Sequence, residues 1–124
     1  MTWQNKPSDF TKTAIDDCET HVKKVVAVGL QSVVLRSPVM DGTYRGNHRI
    51  TIDTTDETFD KNLYDKSGTP TLNQGLQEIA KFKLGNTLYI QNNLPYSLRL
   101  ENGWSDQAPK GIYSIAFQNM SNFK

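Results

Sequence analysis

The chain has 124 residues, with 14 lysines and arginines against 13 aspartates and glutamates, and a formal net charge of +1. This length is typical of a single domain whose core is large enough to fold without a disulfide or a metal. The balanced charge gives no sign of the basic stripe that tight duplex binding requires, or of a polyacidic tail. The single cysteine, Cys18, excludes an intrachain disulfide and a cysteine zinc cluster, and it fits a reducing cytoplasm.

The ends of the chain carry no visible targeting signal. The first six residues contain no apolar segment of the kind found in secretory signals. The longest apolar run is far shorter than the ~20 residues that span a bilayer. We therefore expect one domain over residues 1–124, away from membranes, with short flexible arms at residues 1–7 and 119–124.

A long first helix is predicted from Ser8 to Arg36, with Ser8 as its N-cap. It should end at Ser37, because a residue before proline is disfavoured in the α region. At 1.5 Å per residue the helix would be roughly 43 Å long, as long as the domain is wide or longer. It must either break near Gly29 or project at one end. Only a projecting end, whose apolar stripe would need a neighbour, favours an oligomer. One apolar stripe follows its length: Phe10, Ala14, Cys18, Val22, Val25, Val26, Gly29, Leu30 and Val33.

The middle of the chain reads as a strand, a loop and a second helix. Partial alternation between Tyr44 and Thr54 predicts a half-buried strand. The polar stretch from Thr54 to Gly68 predicts a long loop. A shorter helix follows, capped by Thr71 or Asn73. Its buried face would consist of Leu72, Gly75, Leu76, Ile79 and Ala80.

The last third is predicted to add two strands and a short helix. Leu88–Ile90 is a short apolar strand, and Ile112–Phe117 is a β-rich run that would close the sheet. Between them, a short helix at Tyr96–Asn102 begins after Pro95 and ends at Gly103. The fold class is therefore α+β: a long N-terminal helix and a shorter helix packed on a mainly antiparallel β-sheet, with a long central loop.

The sequence contains no familiar catalytic or metal-binding pattern. His21 and His48 are the only histidines, and they do not form a metal-like pair. Cys18 and His21 share a helix face and would suit the nucleophile and base of a small hydrolase. However, Cys18 lies within the predicted packing stripe, where cysteine usually behaves as a small hydrophobe. We expect no catalytic residue, no metal and no cofactor.

Two segments resemble a known family. Residues 36–48 read RSPVMDGTYRGNH, and residues 92–111 read NNLPYSLRLENGWSDQAPKG. They are similar to the "S-P-V-D-T-G-aromatic-R-x-N-W" and "N-x-x-P-Y-A-x-x-L/I-E-x-G-x-S-x-Q-A-P-x-G" stretches of the tailed-phage neck or tail-completion proteins, which associate with the head–tail connector. Met40 is an insertion in the first stretch, and His48 stands where the family more often has tryptophan.

The resemblance implies a structural virion protein without catalysis, assembled in the host cytoplasm and located in the neck. It implies a ring, with sixfold symmetry expected, that completes or caps the tail and lets genomic DNA pass. The implied partners are other copies of the chain, head-completion or connector proteins, and tail-terminator or tail-tube proteins. A near-neutral subunit suits DNA passage, because each phosphate contact adds affinity. Head-to-tail contacts can close into a ring.

Seven residues are candidates for interface contacts within these two segments. Trp and Arg are enriched at interfaces, and an aromatic residue with a polar group on a loop is a common anchor. Arg99 and Glu101 are able to pair within the subunit or across to a neighbour. The simpler alternatives are a solvated charge at a strand end for Arg45 and packing on its own domain for Tyr96. The full set is Arg45, Tyr96, Arg99, Glu101, Trp104, Gln107 and Pro109.

Two further functions remain open besides the small hydrolase. A tail-terminator ring protein of the same junction has a similar size and α+β composition. A small nucleic-acid-binding or host-modulating module belongs to a different class and would require a clustered basic face. Lys23–Lys24 and the Lys81/Lys83 pair are too sparse to form one.

Overall fold

The computed structural model describes residues 7–40 and 42–123. It confirms the α+β class. None of the described helices combines the length and apolar character that crossing a membrane requires. The helices are α1 (Pro7–Arg36), α2 (Thr43–Gly46), α3 (Thr69–Ala80), α4 (Ser97–Glu101) and α5 (Tyr113–Asn122), and the strands are β1 (His48–Ile52) and β2 (Leu88–Asn92).

The sheet consists of β1 and β2, which pair antiparallel with Ile50 opposite Ile90. Strand β1 is shorter than the prediction that began at Tyr44, because residues 43–46 form α2. The core lies between α1, α3, α5 and this sheet. Its buried apolar members are Leu30, Val33, Val34, Tyr44, Ile50, Ile79, Leu94, Ala108, Ile112 and Ala116.

Helix α1 runs unbroken for 30 residues, or about 45 Å. Of the two alternatives, the projecting helix is therefore confirmed. Thr11–Cys18 is exposed throughout, whereas the helix is largely buried from Gly29 to Val34. Gly29 is a contact point and not a break: a Cβ there would lie 2.4 Å from Met120 Sδ, so glycine allows α5 to approach α1 closely. The stripe residue Phe10 has a side chain outside the described residues.

The predicted strand at Ile112–Phe117 is wrong, because this run begins helix α5. Two tertiary contacts override its β propensity. Its first amides are capped by the Glu101 carboxylate, and Ala116 packs in the core beside α1. Helix α5 continues to Asn122, so residues 119–122 of the predicted flexible arm are helical. Residues 1–6 of the other arm lie outside the described residues, and Pro7 already belongs to α1.

The first turn of helix α3 is capped by the Asp65 side chain, which no sequence pattern predicts. The helix begins at Thr69, and neither Thr71 nor Asn73 is its N-cap. The Asp65 carboxylate accepts hydrogen bonds from Gly68 N at 2.8 Å, Thr71 N at 3.1 Å and Thr71 Oγ1 at 2.6 Å. Burial alone would raise the pKa of Asp65, but these hydrogen bonds outweigh it and lower that pKa.

The long central loop is confirmed: residues 53–68 contain neither helix nor strand. The side-chain amides of three residues outside the loop form hydrogen bonds with the loop backbone. The Asn47 amide donates to Asp60 O at 2.9 Å, and the Asn47 carbonyl oxygen accepts from Asp60 N at 2.8 Å. The amides of Gln91 and Asn93 both donate to the carbonyl of Asp56. The loop therefore has a fixed path, although most of its side chains are exposed.

Candidate functional site

The two segments that carry the resemblance lie against each other. Residues 92–111, termed the knuckle below, meet the first segment through Gln107 and the peptide of Val39. Val39 N donates to Gln107 Oε1 at 2.9 Å, and Gln107 Nε2 donates to Val39 O at 3.3 Å. Gln107 thus joins the segments within one chain, in a pairing that resembles a short piece of sheet.

Glu101 holds the knuckle to α5. Its carboxylate accepts hydrogen bonds from Ile112 N at 2.8 Å, Tyr113 N at 2.6 Å and Ser114 N at 3.2 Å. These amides belong to the first turn of α5, where a negative charge is favoured. Glu101 does not pair with Arg99, whose guanidinium lies over the Trp104 ring with its carbon 5.1 Å from the ring centre.

The Arg45 side chain binds backbone carbonyls at the C-terminal end of α1. Its guanidinium donates to Lys66 O at 2.7 Å and to Leu35 O and Ser37 O at 3.1 Å each. The last carbonyls of a helix lack partners and carry partial negative charge, so an arginine is well placed there. The guanidinium is therefore engaged within its own chain, in contrast to a solvated charge at a strand end.

A buried polar chain lies beneath the knuckle. His48 Nε2 is 2.5 Å from Ser37 Oγ, and His48 Nδ1 is 2.7 Å from Tyr113 Oη. The Ser37 hydroxyl donates to Val33 O at 2.5 Å, so Oγ must accept from Nε2–H and Nδ1 must accept from the tyrosine hydroxyl. Burial, and to a lesser extent the Arg45 charge, lower the pKa of His48 to about 3.

Ser37 and His48 are the residue types of a nucleophile and a base, but their arrangement here is not catalytic. His48 is 4% exposed and Ser37 is 3% exposed, so neither reaches solvent. The imidazole donates to the serine and cannot remove its proton in that tautomer. The rings of Tyr44 and Tyr113 contact the His48 ring, with centres 4.9 and 5.5 Å away, so the position is built for an aromatic side chain. The arrangement can fix the core, and it offers no reacting atom to a substrate.

The outer face of the knuckle carries several exposed apolar and aromatic side chains. Leu98 and Trp104 are each 72% exposed, and Tyr96 and Pro109 are also exposed. Arg99 stacks over Trp104, which adds a cation–π contact and restricts the indole. Large exposed apolar side chains concentrated in one segment favour a contact with another protein. Six of the seven candidate residues lie on the knuckle, and the side chains of Arg45, Glu101 and Gln107 have hydrogen-bond partners inside the chain.

A groove of about 450 Å³ lies beside this face, lined in part by Met40, Tyr44, Tyr96 and Leu100. Tyr44 is buried, and its hydroxyl has no hydrogen-bond partner among the described residues. Burial, and then the charge of Glu101, raise the pKa of Tyr44, so the hydroxyl keeps its proton. Burying a hydroxyl without a hydrogen-bond partner costs about 1–3 kcal/mol of folding free energy. No sequence pattern indicates this unpaired hydroxyl.

The proposed hydrolase pair is not assembled into a pocket. Cys18 is exposed on the projecting part of α1, which contradicts its predicted place in a buried stripe. The His21 ring lies beside Phe123, with ring centres 5.8 Å apart. Within residues 7–40 and 42–123, no three His, Cys, Asp or Glu side chains gather in a way that would hold a metal ion.

Comparison with protein-family models, curated proteins and solved structures finds no match for this chain.

Proposed function

We propose that the chain is a structural subunit of a tailed-phage neck, which forms a ring with its own copies at the head–tail junction. The observation that carries the proposal is that some side chains of residues 92–111 bind their own chain while others remain exposed. Glu101 and Gln107 bind this segment to the rest of the chain, while Leu98 and Trp104 remain mostly exposed. The resemblance of the same segment to neck proteins supports a contact surface there.

A contact surface that is rigid before binding loses less entropy when it binds. The short helix α4, the cap on α5 and the pairing with Val39 fix the backbone on both sides of Trp104. Arg99 further restricts the indole from one side. Tryptophan and arginine are the residues that most often dominate binding energy at interfaces. The knuckle therefore has the properties of an anchor for an adjoining protein.

In this proposal the knuckle contacts an adjoining protein, and the exposed end of α1 supplies one of two further surfaces through which copies of the chain contact each other. A subunit with two different surfaces can join copies head-to-tail and close a ring, for which sixfold symmetry is expected. Head-completion or connector proteins would lie on one side of the ring, and tail-terminator or tail-tube proteins on the other. The net charge of +1 is compatible with DNA that passes through without being held. A tail-terminator ring of the same junction would use the same two surfaces.

Two measurements test the proposal. Mass spectrometry of purified particles of the encoding phage should detect the chain in a few copies per particle, and its deletion should leave filled heads and tails unjoined. Trp104→Ala should give the same unjoined parts, while Tyr64→Ala, which removes an exposed aromatic from the central loop, serves as the matched control. Absence of the chain from finished particles would refute the proposal. A salt-dependent DNA shift would favour the nucleic-acid-binding alternative.

A further inference from the structure

The C-terminal end of α1 borders an open groove that carries only positive charge, termed the basic groove below. It has a volume of about 330 Å³, and its lining includes Leu35, Arg36, Arg45, Lys110 and Ile115 but no acidic residue. Arg36 and Lys110 are exposed and form no salt bridge with any described residue. Arg45 is bonded only to neutral carbonyls, so its charge is not neutralised there.

The other end of the same helix carries the opposite charge. In the exposed stretch Thr11–Cys18, Asp16 and Asp17 outnumber the single cation, Lys12. Neither carboxylate forms a salt bridge with a described residue. Ile15 is 40% exposed in this stretch, although an isoleucine gains by burial. The stretch thus offers two acidic groups without a salt bridge to a described residue and an apolar side chain that its own chain covers only in part.

We propose that the Thr11–Cys18 end of α1 in one copy docks on the basic groove of the next copy. Asp16 and Asp17 would face Arg36 and Lys110, and Ile15 would cover Leu35, which is 54% exposed. The inference rests on the proposed function, because it names the two surfaces that join the subunits of the ring.

The positions of the two surfaces allow the same contact to repeat from one copy to the next. They lie at opposite ends of a 30-residue helix, so one copy uses its acidic end on one neighbour and offers its groove to another. Opposite charges set the orientation and speed of the encounter, and the apolar contact beneath them adds affinity. Like charges oppose the pairing of two acidic ends or of two grooves.

Cross-linking through the native thiol tests the contact directly. Cys18 is the only cysteine and is exposed on the acidic end, so Leu35→Cys in the full chain supplies the second thiol in the groove. Mild oxidation should give a ladder of linked chains that ends in one closed species. Cys18→Ala with Leu35→Cys should abolish the ladder, and Gln77→Cys, at an exposed site on α3, should not produce it.

A charge exchange distinguishes a specific contact from damage to the fold. Asp16→Lys with Asp17→Lys should weaken self-association about tenfold, as should Arg36→Glu with Lys110→Glu. Mixing the two variants should restore association between them, because the acidic groove then meets a basic helix end. An unfolded variant would not be rescued. Lys61→Glu with Lys83→Glu makes the same charge change elsewhere and should have no effect.

The outcomes separate this inference from the proposed function. An oligomer without the Cys18–Leu35→Cys link, or linked dimers only, would overturn the head-to-tail contact and leave the neck assignment untouched. A chain that stays single at the highest soluble concentration, and gives no link, would also overturn the contact. Loss of the neck assignment requires a different result, namely absence of the chain from finished particles.

Discussion

The inner and outer sides of the knuckle carry different residue types and are expected to serve different purposes. On the inner side, Glu101 and Gln107 have their polar groups paired with backbone amides and carbonyls. On the outer side, Leu98 and Trp104 remain mostly exposed. The inner residues should therefore determine stability, and the outer residues should determine assembly. A polar side chain in a segment with a contact function need not itself make the contact.

The largest expected effect concerns the buried polar chain beneath the inner side. The folded chain keeps His48 neutral because its pKa is lowered to about 3, whereas the unfolded chain takes up a proton below about pH 6.5. The stabilisation is complete above pH 6.5 and is lost as the pH falls towards 3. Between pH 7.5 and 4.5 the free energy of unfolding should decrease by about 3 kcal/mol, measured by urea denaturation.

His48→Gln should remove most of this pH dependence, while His21→Gln, at an exposed position, should retain it. Asp56 and Asp65, whose pKa values are lowered from 3.8, contribute only at more acidic pH. Equal slopes for the wild type and His48→Gln between pH 6.5 and 4.5 would contradict a neutral, buried imidazole.

The second effect concerns the cap on α5. Glu101→Ala should decrease the free energy of unfolding by about 2 kcal/mol, because three amides lose a charged acceptor. Hydrogen exchange should accelerate first in residues 113–116. Glu57→Ala, an exposed acid in the central loop, is the matched control and should be nearly neutral. Unchanged exchange in α5 would show that packing alone holds this helix.

A smaller effect is expected at the contact between the two segments. Gln107→Ala removes both hydrogen bonds to the Val39 peptide, which is partly exposed and can bond to water instead. We expect a loss of about 1 kcal/mol in denaturant unfolding. Gln118→Ala, at an exposed position on α5, provides the comparison. A loss equal to that of Glu101→Ala would mean that the two segments depend on each other more than their contacts indicate.

The smallest effect on stability belongs to the outer side. Trp104→Ala should change the free energy of unfolding by less than about 0.5 kcal/mol, because the indole is 72% exposed. The same variant should show the strongest assembly defect in the particle test. A large loss of stability with normal assembly would reverse the roles of the two sides.

Much of the fold follows from local patterns in the sequence. The stripe and the Ser37–Pro38 signal gave helix α1, and Pro95 with Gly103 gave the limits of α4 within one residue. Helix α5 was missed because its formation depends on Glu101 and on the close approach at Gly29, both distant in sequence. Local propensity cannot report a cap supplied by another segment.

The candidate contact residues stay predictions, and the structure shows the surroundings of each one. The resemblance singles out residues 92–111, and Trp104 within them is exposed, as a contact residue must be. Arg45 and Glu101 are engaged inside the chain, because their partners are backbone groups that no sequence pattern reveals. The contacts of His48 with Ser37 and Tyr113 join positions 11 and 65 residues apart, and no spacing rule connects them.

The central loop has one more consequence. Its path is held through main-chain groups of Asp56 and Asp60, by amides that belong to Asn47, Gln91 and Asn93. Substituting exposed loop residues such as Phe59 or Tyr64 would leave those attachments in place. Substitutions can therefore change the surface chemistry of this stretch without altering its path.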